Sequence, residues 1–362
     1  MTYQKNPYRG QGLPDGRIAA KGDVRHDPAL PLLLLSHCPV AATPPLVDLP
    51  ELAGELGLAR LAIKDERQRM GLGSFKALGA AFAIARAAYA RLGDGLFVEG
   101  VASTALTGQV YTSATAGNHG LSIAAGARVF GAQAVIYIAE TVPKEFETRL
   151  KTFGATVVRE GENYEASLTA AMNAAEKNGW NLLSDTSWPD YTAPPLDVME
   201  GYLVMSSEAA DQVEAEGWQP THVFLQAGVG GLAAAVAVNL RHRWGEDFQI
   251  IVVEPEAAPA LQASIEAGKP IITQGPVSNM GRLDCKEPSH LALKALAQAA
   301  DGFLTVSDTY VSNAIVDLEG YNLKTSPSGG AGYAGLKAMI GDEIGPDARV
   351  LLFLSEGPAD EL

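Results

Sequence analysis

The stretch from residue 134 to 185 reads AVIYIAE (134–140), PKEFETRLKTFG (143–154), ATVVRE (155–160), NYEASLTAAMNAAEKNG (163–179) and NLLSD (181–185). Short β-rich runs alternate here with amphipathic or alanine-rich segments, a rhythm that predicts βα units around a parallel sheet. A second set of the same kind consists of THVFLQAG (221–228), GLAAAVAVNLRHRW (231–244), FQIIVVE (248–254) and LLFLSEG (351–357). We therefore expect an α/β fold with two lobes, each built on a parallel sheet.

Composition and charge narrow the class of protein. The 362 residues are 47% hydrophobic and 19% charged, as in a folded globular protein of two or three domains. The net charge of -15 argues against nucleic acid and anionic membrane surfaces as partners, because both attract clustered Lys and Arg. The apolar run at 30–35 is far shorter than a membrane span of roughly 20 residues. With Cys38 and Cys285 as its two cysteines and no secretory signal pattern, the chain is expected to work in the reducing cytoplasm.

Lys76 is the first candidate for chemistry. The segment IKDERQRMGLGSFKALG (63–79) places it after two glycines and a serine, at the start of a helix predicted over residues 76–91. The positive end of a helix dipole opposes protonation, so we expect the pKa of Lys76 to be lowered, which suits a nucleophilic amine. Taken alone, a lysine in the first turn of a helix is far more often an ordinary surface residue, and the neighbouring motifs are what favour a functional role for Lys76.

A glycine-rich loop, GVGGLAAA at 228–235, follows a predicted strand and opens an alanine-rich helix. Glycines in this position let successive backbone N–H groups converge on a phosphate, and the helix dipole adds to the attraction. The loop also satisfies the dinucleotide pattern G-x-G-x-x-A, with Glu254 where a ribose-binding acid would lie. A phosphate ligand, a nucleotide and a tight turn without ligand all stay open at this point.

Two further segments carry polar groups at predicted loop ends. In SATAGNHG (113–120), Asn118 can hydrogen-bond a phenolic oxygen, and the amides and hydroxyls of Ser113 and Thr115 can bind a carboxylate. In LLFLSEG, Ser355 can pair its hydroxyl with a ring nitrogen. A loop-capping asparagine and a serine in a turn are the ordinary interpretations of these residues.

Other kinds of catalytic site lack support in the sequence. The six histidines contain no closely spaced metal-ligand pair, and neither cysteine belongs to a C-x-x-C pair, so no zinc or other metal site is predicted. The G-x-S-x-G motif of many serine hydrolases does not occur in the chain.

Taken together, the motifs resemble those of fold-type II pyridoxal phosphate (PLP) enzymes, the family of threonine dehydratase, cysteine synthase and the tryptophan synthase β chain. The matching motifs are KDE (64–66), SFK (74–76), AGNHG (116–120), the glycine loop (228–231) and SEG (355–357). Within this family the likeness is greatest to diaminopropionate ammonia-lyases, from about residue 40 to the end. It rests on IKDERQR with SFKALGAAFA, SDTSW (184–188), MEGY (199–202), VVEPEAAP (252–259) and CKEP (285–288).

The resemblance implies a role for each motif. Lys76 would carry PLP as a Schiff base, Asn118 would contact the PLP hydroxyl, and Ser355 would face the pyridine nitrogen. Asp185 would be a catalytic and substrate-pocket carboxylate that meets an amino group of the substrate, with a helix or turn cap as the alternative. A homodimer is usual for the family. The phosphate would be bound by Gly228, Val229, Gly230, Gly231 and Leu232.

The implied reaction is β-elimination on a small amino acid, with Lys76 as the base and 2,3-diaminopropionate converted to pyruvate and ammonia. Ala116 departs from the ammonia-lyases, which usually have an aspartate there, implicated in removing the α-proton of the D-substrate. A methyl group cannot act as a base, so we expect the L-isomer to be used. Arg282 and Asp284 also depart from the usual apolar pattern and add charge near the expected pocket.

Three alternatives stay open. An L-serine or L-threonine dehydratase would share these residues and differ in the group that leaves. A nicotinamide-dependent dehydrogenase would rest on the glycine loop and Glu254, and a non-catalytic protein would bind a ligand without turnover. For the domains, the pattern predicts a large PLP-binding domain formed by 1–80 and 200–362 and a small α/β domain formed by 81–199.

Overall fold

The strands divide between two β-sheets of unequal size. The structure is a computed structural model, and it describes residues 1–115, 117–142, 144–341 and 343–358. In these residues the strands are β1 (Tyr3–Lys5), β2 (Leu46–Asp48), β3 (Arg60–Asp65), β4 (Val110–Ala114), β5 (Gln133–Ile138), β6 (Thr156–Arg159), β7 (Asn181–Leu182), β8 (His222–Gln226), β9 (Gln249–Pro255), β10 (Gly302–Val306) and β11 (Arg349–Leu354).

The larger sheet has seven strands in the order β1-β10-β9-β8-β11-β3-β2. Its five inner strands are parallel, and they read as nearly continuous apolar runs because helices cover both faces of a parallel sheet. The edge strands β1 and β2 run antiparallel to their neighbours, which the sequence pattern did not predict. Both are three residues long, too short to show periodicity.

The smaller sheet has four parallel strands in the order β6-β5-β4-β7. The prediction of an α/β fold with two lobes is therefore confirmed, with the correction that the larger sheet is mixed at its edges. Every strand of the smaller sheet lies within residues 81–199, and every strand of the larger sheet lies within 1–80 or 200–362. The domain limits themselves stay a prediction.

Helices connect the strands and cover the sheets. The α-helices are α1 (Ala29–Ser36), α2 (Pro50–Glu55), α3 (Gly79–Leu92), α4 (Asn118–Val129), α5 (Lys144–Thr152), α6 (Tyr164–Asn178), α7 (Ala193–Ala215), α8 (Gly231–Trp244), α9 (Ala260–Ala267), α10 (His290–Ala299), α11 (Asp308–Ala314), α12 (Val316–Glu319) and α13 (Ala331–Met339). Four 3-10 helices span Arg69–Gly71, Phe75–Leu78, Gly93–Phe97 and Ala102–Thr104. Among the described residues, no helix combines the length and apolar character needed to cross a membrane.

Capping residues mark both ends of α6, and a glycine marks the start of α3. In α6 the side chain of Asn163 accepts a hydrogen bond from the N–H of Ala166, and Gly179 closes the other end in the left-handed conformation. The helix predicted over 76–91 is instead a 3-10 turn followed by α3, which begins at Gly79. A side chain at Gly79 would collide with the ring of Tyr202, since a Cβ there would lie 2.5 Å from its Cε1 atom.

The long helix α7 forms the centre of the molecule and packs against α3 and α8. Its side chains at Val198, Met199 and Leu203 are fully buried. Gly201 allows a close approach to the turn that carries Lys76, because a Cβ there would lie 2.3 Å from the carbonyl oxygen of Leu78. Helix α7 thus packs directly against the turn that carries Lys76.

Candidate active site

Lys76 and Asp185 form the centre of the candidate site. Lys76 lies in the 3-10 turn after β3, and Asp185 lies in the loop after β7, so each side chain comes from the carboxyl side of a strand in a different sheet. The Lys76 amine donates a hydrogen bond to a carboxylate oxygen of Asp185. The two residues are 109 positions apart, and the fold brings the predicted base and the predicted substrate-pocket carboxylate together.

The expected lowering of the Lys76 pKa is wrong for this structure. Burial lowers the pKa of Lys76, but the Asp185 carboxylate opposes burial and the net pKa is raised above its ordinary value. Burial likewise raises the pKa of Asp185, while the Lys76 ammonium lowers it, and the net pKa falls well below the ordinary value. A carboxylate in direct contact acts on the Lys76 pKa more strongly than the helix dipole on which that expectation rested.

The glycine loop has the shape of a phosphate cradle. Gly230 adopts a φ of 97° just before α8, a conformation that favours glycine. A Cβ on Gly228 would lie 3.0 Å from both the Sγ of Cys285 and the Cα of Leu283. Gly231 faces the predicted catalytic residues, because its Cβ would lie 3.8 Å from the Asp185 carbonyl oxygen. The loop and the Lys76–Asp185 pair therefore belong to one site.

The dinucleotide interpretation of this loop is wrong, because Glu254 is not available to bind a ribose. Its carboxylate is fully buried and accepts hydrogen bonds from the backbone N–H groups of Leu261 and Gln262, at 2.7 and 2.8 Å. Burial raises the pKa of Glu254 to about 8, although the two amides lower it. Glu254 caps the start of α9 instead of facing the glycine loop.

Asn118 begins α4 in the smaller lobe and reaches across to the larger one. Its Nδ2 donates to Oε2 of Glu356 at 2.9 Å, and its Oδ1 is buried without a hydrogen-bond partner among the described residues. Next to Glu356, Ser355 is 4% exposed, and its carbonyl oxygen accepts from the N–H of Phe75, at 3.0 Å. Ser355 thus lies against the turn that carries Lys76, and Asn118 contacts the residue that follows Ser355.

Ser113 and Thr115 fit their predicted role less well. Ser113 is a buried residue of β4, inside the parallel ladder with β5. The N–H of Thr115 donates to the Tyr137 carbonyl oxygen, and its hydroxyl oxygen accepts from the N–H of Gly117. The Thr115 amide is therefore not free to bind a carboxylate. The Thr115 hydroxyl group can still donate its hydrogen to one. Ala116 lies outside the described residues.

Several residues of the site were not predicted from the sequence. His119, 4% exposed, lies next to Asn118, with its Nε2 2.9 Å from the Leu183 carbonyl oxygen and its Nδ1 without a partner among the described residues. Burial lowers its pKa, so the ring is neutral. Burial also raises the pKa of Cys285 to about 12, which keeps it a thiol. The sequence signal that could have identified His119 and Cys285 as site residues is their position in the AGNHG and CKEP motifs.

Arg282 and Asp284, the two charged residues that depart from the usual apolar pattern, each have a partner in the structure. Its Nε lies 2.9 Å from Oε2 of Glu356, close enough for an ion pair although not aligned as a hydrogen bond. Asp284 pairs with Lys286 at 2.5 Å and accepts from the N–H of Ser278. Arg282 thus neutralises the buried Glu356, and Asp284 holds its own loop together.

A buried charge network explains the KDE motif. Arg69 donates to Glu66 at 2.7 Å and to Glu208 of α7 at 2.5 Å, and Lys64 lies 3.0 Å from Glu208. Two cations face two carboxylates, so the buried charges are balanced. The network ties the loop that leads to Lys76 onto α7.

The chain matches the family model described as pyridoxal-phosphate dependent enzyme over residues 39–356. This chain belongs to that family. It is 31% identical over 337 residues to the diaminopropionate ammonia-lyase of Escherichia coli (strain K12), covering 87% of this chain and 84% of that one. It is 26% identical over 302 residues to the biosynthetic L-threonine dehydratase of Pasteurella multocida, covering 83% of this chain and 53% of that one.

Solved structures of the PLP-dependent family agree with this assignment. The E. coli diaminopropionate ammonia-lyase in complex with an aminoacrylate-PLP azomethine reaction intermediate superposes with a TM-score of 0.87 at 27% identity, covering 98% of this chain and 93% of that one. The processed form of threonine deaminase isoform 2 from Solanum lycopersicum gives a TM-score of 0.76 at 22% identity, covering 96% of each chain, which supports the fold. The family is one of enzymes, and its cofactor is PLP.

The residues of the site fit PLP. Gly228 and Gly230 pack where a Cβ would crowd neighbouring residues, so the loop reaches the start of α8 as backbone with few side chains, as a phosphate cradle requires. The unpartnered Oδ1 of Asn118 and the Lys76 amine supply a polar contact and an attachment point in the same site. No group of three or more His, Cys, Asp or Glu side chains in the described part of the chain could hold a metal ion.

Proposed function

We propose that this PLP-dependent lyase eliminates the β-amino group of L-2,3-diaminopropionate as ammonia. The released aminoacrylate then tautomerises and is hydrolysed by water to pyruvate and a second ammonia. The observation that carries the proposal is the contact between Asp185 and the Lys76 amine. It puts an anionic acceptor beside the base, where the β-ammonium group of this substrate can bind. The 31% identity to a diaminopropionate ammonia-lyase supports the same reaction.

In the proposed mechanism PLP, when bound, supplies an electron sink that stabilises negative charge on the substrate α-carbon. Lys76 holds the cofactor and, once its amine is free, removes the α-proton. Asp185 accepts hydrogen bonds from the β-ammonium group and orients it for departure. The glycine loop (228–232) binds the cofactor phosphate, and Asn118 and Ser355 contact the phenolic oxygen and the ring nitrogen.

The substrate carboxylate is proposed to bind near the start of α4. Gly117 and Asn118 lie at this helix start, where N–H groups face outward and attract anions. The hydroxyl groups of Ser113 and Thr115 are proposed as further donors. The preference for the L-isomer rests on the identity of residue 116, since alanine offers no second base.

The test is a screen of small amino acids for release of ammonia and a 2-oxo acid. The panel contains both enantiomers of 2,3-diaminopropionate, L-serine, L-threonine and D-serine. We expect the highest kcat/KM for L-2,3-diaminopropionate and no turnover by Lys76→Ala, which should also lose the absorption band at the edge of the visible range. Comparable turnover of the D-isomer would contradict the role given to Ala116.

An L-serine or L-threonine dehydratase is the second candidate. It is favoured by the small residue before the G-N-H triplet, which resembles the loop of those dehydratases, and by the 26% identity to an L-threonine dehydratase. A hydroxyl leaving group has no positive charge for Asp185 to bind. Higher kcat/KM for L-serine or L-threonine than for diaminopropionate would decide for this candidate.

A homodimer in the cytoplasm is proposed for the assembly and the compartment. The family resemblance supports the dimer, and the two free cysteines support a reducing compartment. Light scattering on the purified PLP-loaded protein should give twice the mass of the chain. A monomeric mass would contradict the proposed dimer without affecting the proposed reaction.

A further inference from the structure

Tyr202, in the MEGY motif of α7, has a buried hydroxyl group that the proposed mechanism does not use. The side chain is 1% exposed, and its oxygen has no hydrogen-bond partner among the described residues. A buried polar group without a partner costs free energy, so native structures rarely keep one that lacks a purpose. The packing of the ring indicates what that purpose is.

The Tyr202 ring lies against the turn that carries Lys76. It packs on the ring of Phe75 with 4.8 Å between ring centroids, and the Lys76 Nζ lies 5.8 Å from the Tyr202 ring centroid. The absence of a side chain at Gly79 makes room for the ring, because a Cβ there would lie 2.8 Å from the hydroxyl oxygen. A Cβ on Gly231, at the phosphate loop, would lie 3.8 Å from Cε2. Tyr202 therefore fills the space between Lys76 and the phosphate loop.

The Tyr202 hydroxyl is suited to hydrogen bonding and unsuited to proton abstraction. Burial raises its pKa to about 12, although the nearby Lys76 ammonium lowers it. The group thus stays neutral and can both donate and accept a hydrogen bond. In this structure Asp185 is the partner of the Lys76 amine. During turnover Asp185 is proposed to bind the substrate, so the freed amine needs another partner.

We propose that Tyr202 is a positioning residue for Lys76. The Tyr202 hydroxyl group hydrogen-bonds the freed ε-amine of Lys76 and keeps this amine directed at the substrate α-carbon. This inference rests on the proposed function, in which Lys76 is the base. Lysine has four rotatable side-chain bonds, and one directed hydrogen bond removes much of that freedom. The tyrosine acts through Lys76 and need not touch the substrate.

The test is Tyr202→Phe, which keeps the ring in its pocket and removes one oxygen atom. We expect kcat to fall about tenfold, as for the loss of one well-placed hydrogen bond. KM and the visible-edge absorption of bound PLP should stay unchanged. The matched control is Tyr111→Phe, a buried tyrosine of β4 in the smaller lobe, which should leave all three quantities unchanged.

A second measurement does not depend on turnover. Amine-specific labelling of the full chain freed of PLP, read by peptide mass spectrometry, measures the reactivity of Lys76 against the other lysines. It is carried out in Asp185→Asn, where the amine has lost its carboxylate partner. A hydroxyl that accepts from the ammonium stabilises the charged form, so adding Tyr202→Phe to Asp185→Asn should label Lys76 about three to ten times faster. A purely structural tyrosine would leave this ratio unchanged.

These experiments distinguish failure of the Tyr202 inference from failure of the proposed function. Wild-type kcat in Tyr202→Phe, together with equal labelling of Lys76 in Asp185→Asn with and without Tyr202→Phe, would overturn the inference. A loss of PLP binding in place of a loss of kcat would overturn it as well. If the unsubstituted enzyme eliminates nothing from any substrate, the proposed function fails. The labelling ratio still decides whether Tyr202 contacts the Lys76 amine.

Discussion

Among individual side chains, Asp185 has the strongest influence on the reactive amine. Asp185→Asn removes the negative charge that raises the pKa of Lys76, so the pKa of Lys76 in the cofactor-free protein should fall. Turnover of diaminopropionate should decrease by about 10²-fold, because the β-ammonium group loses the anion that orients it for departure. Steady-state kinetics across a pH series measures the change in turnover.

Asp190→Asn is the matched control for this substitution. Asp190 lies five positions further along the chain, and its side chain is 89% exposed. Its loss should leave kcat and the pH profile unchanged. If both variants showed the same kinetics, Asp185 would be a turn residue, which is the alternative interpretation of the sequence.

The parts of the site that were predictable from sequence are those whose residue type limits the chemistry. Lys76 was identifiable because it follows a small-residue turn, and the glycine loop was identifiable because a phosphate needs backbone N–H groups without side chains in the way. The pKa of Lys76 was not predictable, since it depends on a carboxylate 109 positions away. The hydrogen bonding of Glu356 was not predictable either, because its partner Asn118 comes from the other lobe.

Among helices and strands, the turn from β8 into α8 depends on one glycine. Gly230 has a φ of 97°, and a Cβ there would lie 3.0 Å from the Cβ of Ala292. Gly230→Ala should therefore reduce the unfolding free energy by about 1–3 kcal/mol and weaken PLP binding. Thermal unfolding and a PLP titration measure the two effects.

Gly231→Ala is the comparison for this prediction. Gly231 is the first residue of α8, and the nearest atom to a Cβ there, on Met199, would be 3.6 Å away. Alanine fits this helical position, so stability should not fall. Equal destabilisation by both substitutions would mean that the φ angle of Gly230 is not what limits the turn.

The connection from β9 to α9 should give the protein a measurable pH dependence. Burial raises the pKa of Glu254 to about 8. Because this folded-state pKa lies above the unfolded value of about 4.3, the folded protein holds the proton more tightly, and stability falls as pH rises between these two values. Glu254→Gln removes the titration, so its unfolding free energy should decrease less with pH over that range. Urea unfolding from about pH 5 to about pH 8 measures the slope.

The exposed neighbour Glu256 provides the control. Its side chain is 54% exposed, so Glu256→Gln should keep the slope of the unsubstituted protein. Glu254→Gln also loses one backbone hydrogen bond, about 1 kcal/mol at every pH, and for this reason slopes are compared instead of absolute values. Equal slopes of unfolding free energy against pH for all three proteins would contradict the raised pKa of Glu254 in the folded protein.

Among these elements, those with a clear period were predicted and the short ones were not. The segment 163–179 became α6 within one residue at each end, because Asn163 and Gly179 are strong capping residues. The three-residue strands β1 and β2 gave no pattern in the sequence, since their pairing is decided by neighbours distant in the chain. The start of α3 was missed by three residues because Lys76 lies in a separate 3-10 turn, Phe75–Leu78, that precedes the helix.

Across the chain as a whole, the Asn118–Glu356 contact joins the two sheets over 238 positions. Glu356→Ala should loosen this junction, because Asn118 and Ser326 would lose their hydrogen-bond acceptor and Arg282 its ion-pair partner. Amide hydrogen exchange should become faster at the start of α4 and around Ser326.

Glu319→Ala is the control for the junction between the lobes. Glu319 is an exposed residue at the end of α12, and its removal should leave the exchange rates of these segments unchanged. Unchanged exchange in Glu356→Ala would mean that the sheets are held together by other contacts, such as the hydrogen bond from Arg149 to the carbonyl oxygen of Leu72, at 3.2 Å.

The ion pair between Lys76 and Asp185 also affects how the newly made enzyme matures. An ammonium group does not attack a carbonyl carbon, so the amine has to lose its proton before it can join the aldehyde of PLP. With the pKa of Lys76 raised, few molecules carry the uncharged amine at neutral pH. Saturation with PLP should therefore be slow in neutral buffer and faster in alkaline buffer. The specific activity of a preparation will then depend on the pH and the time at which it was incubated with the cofactor.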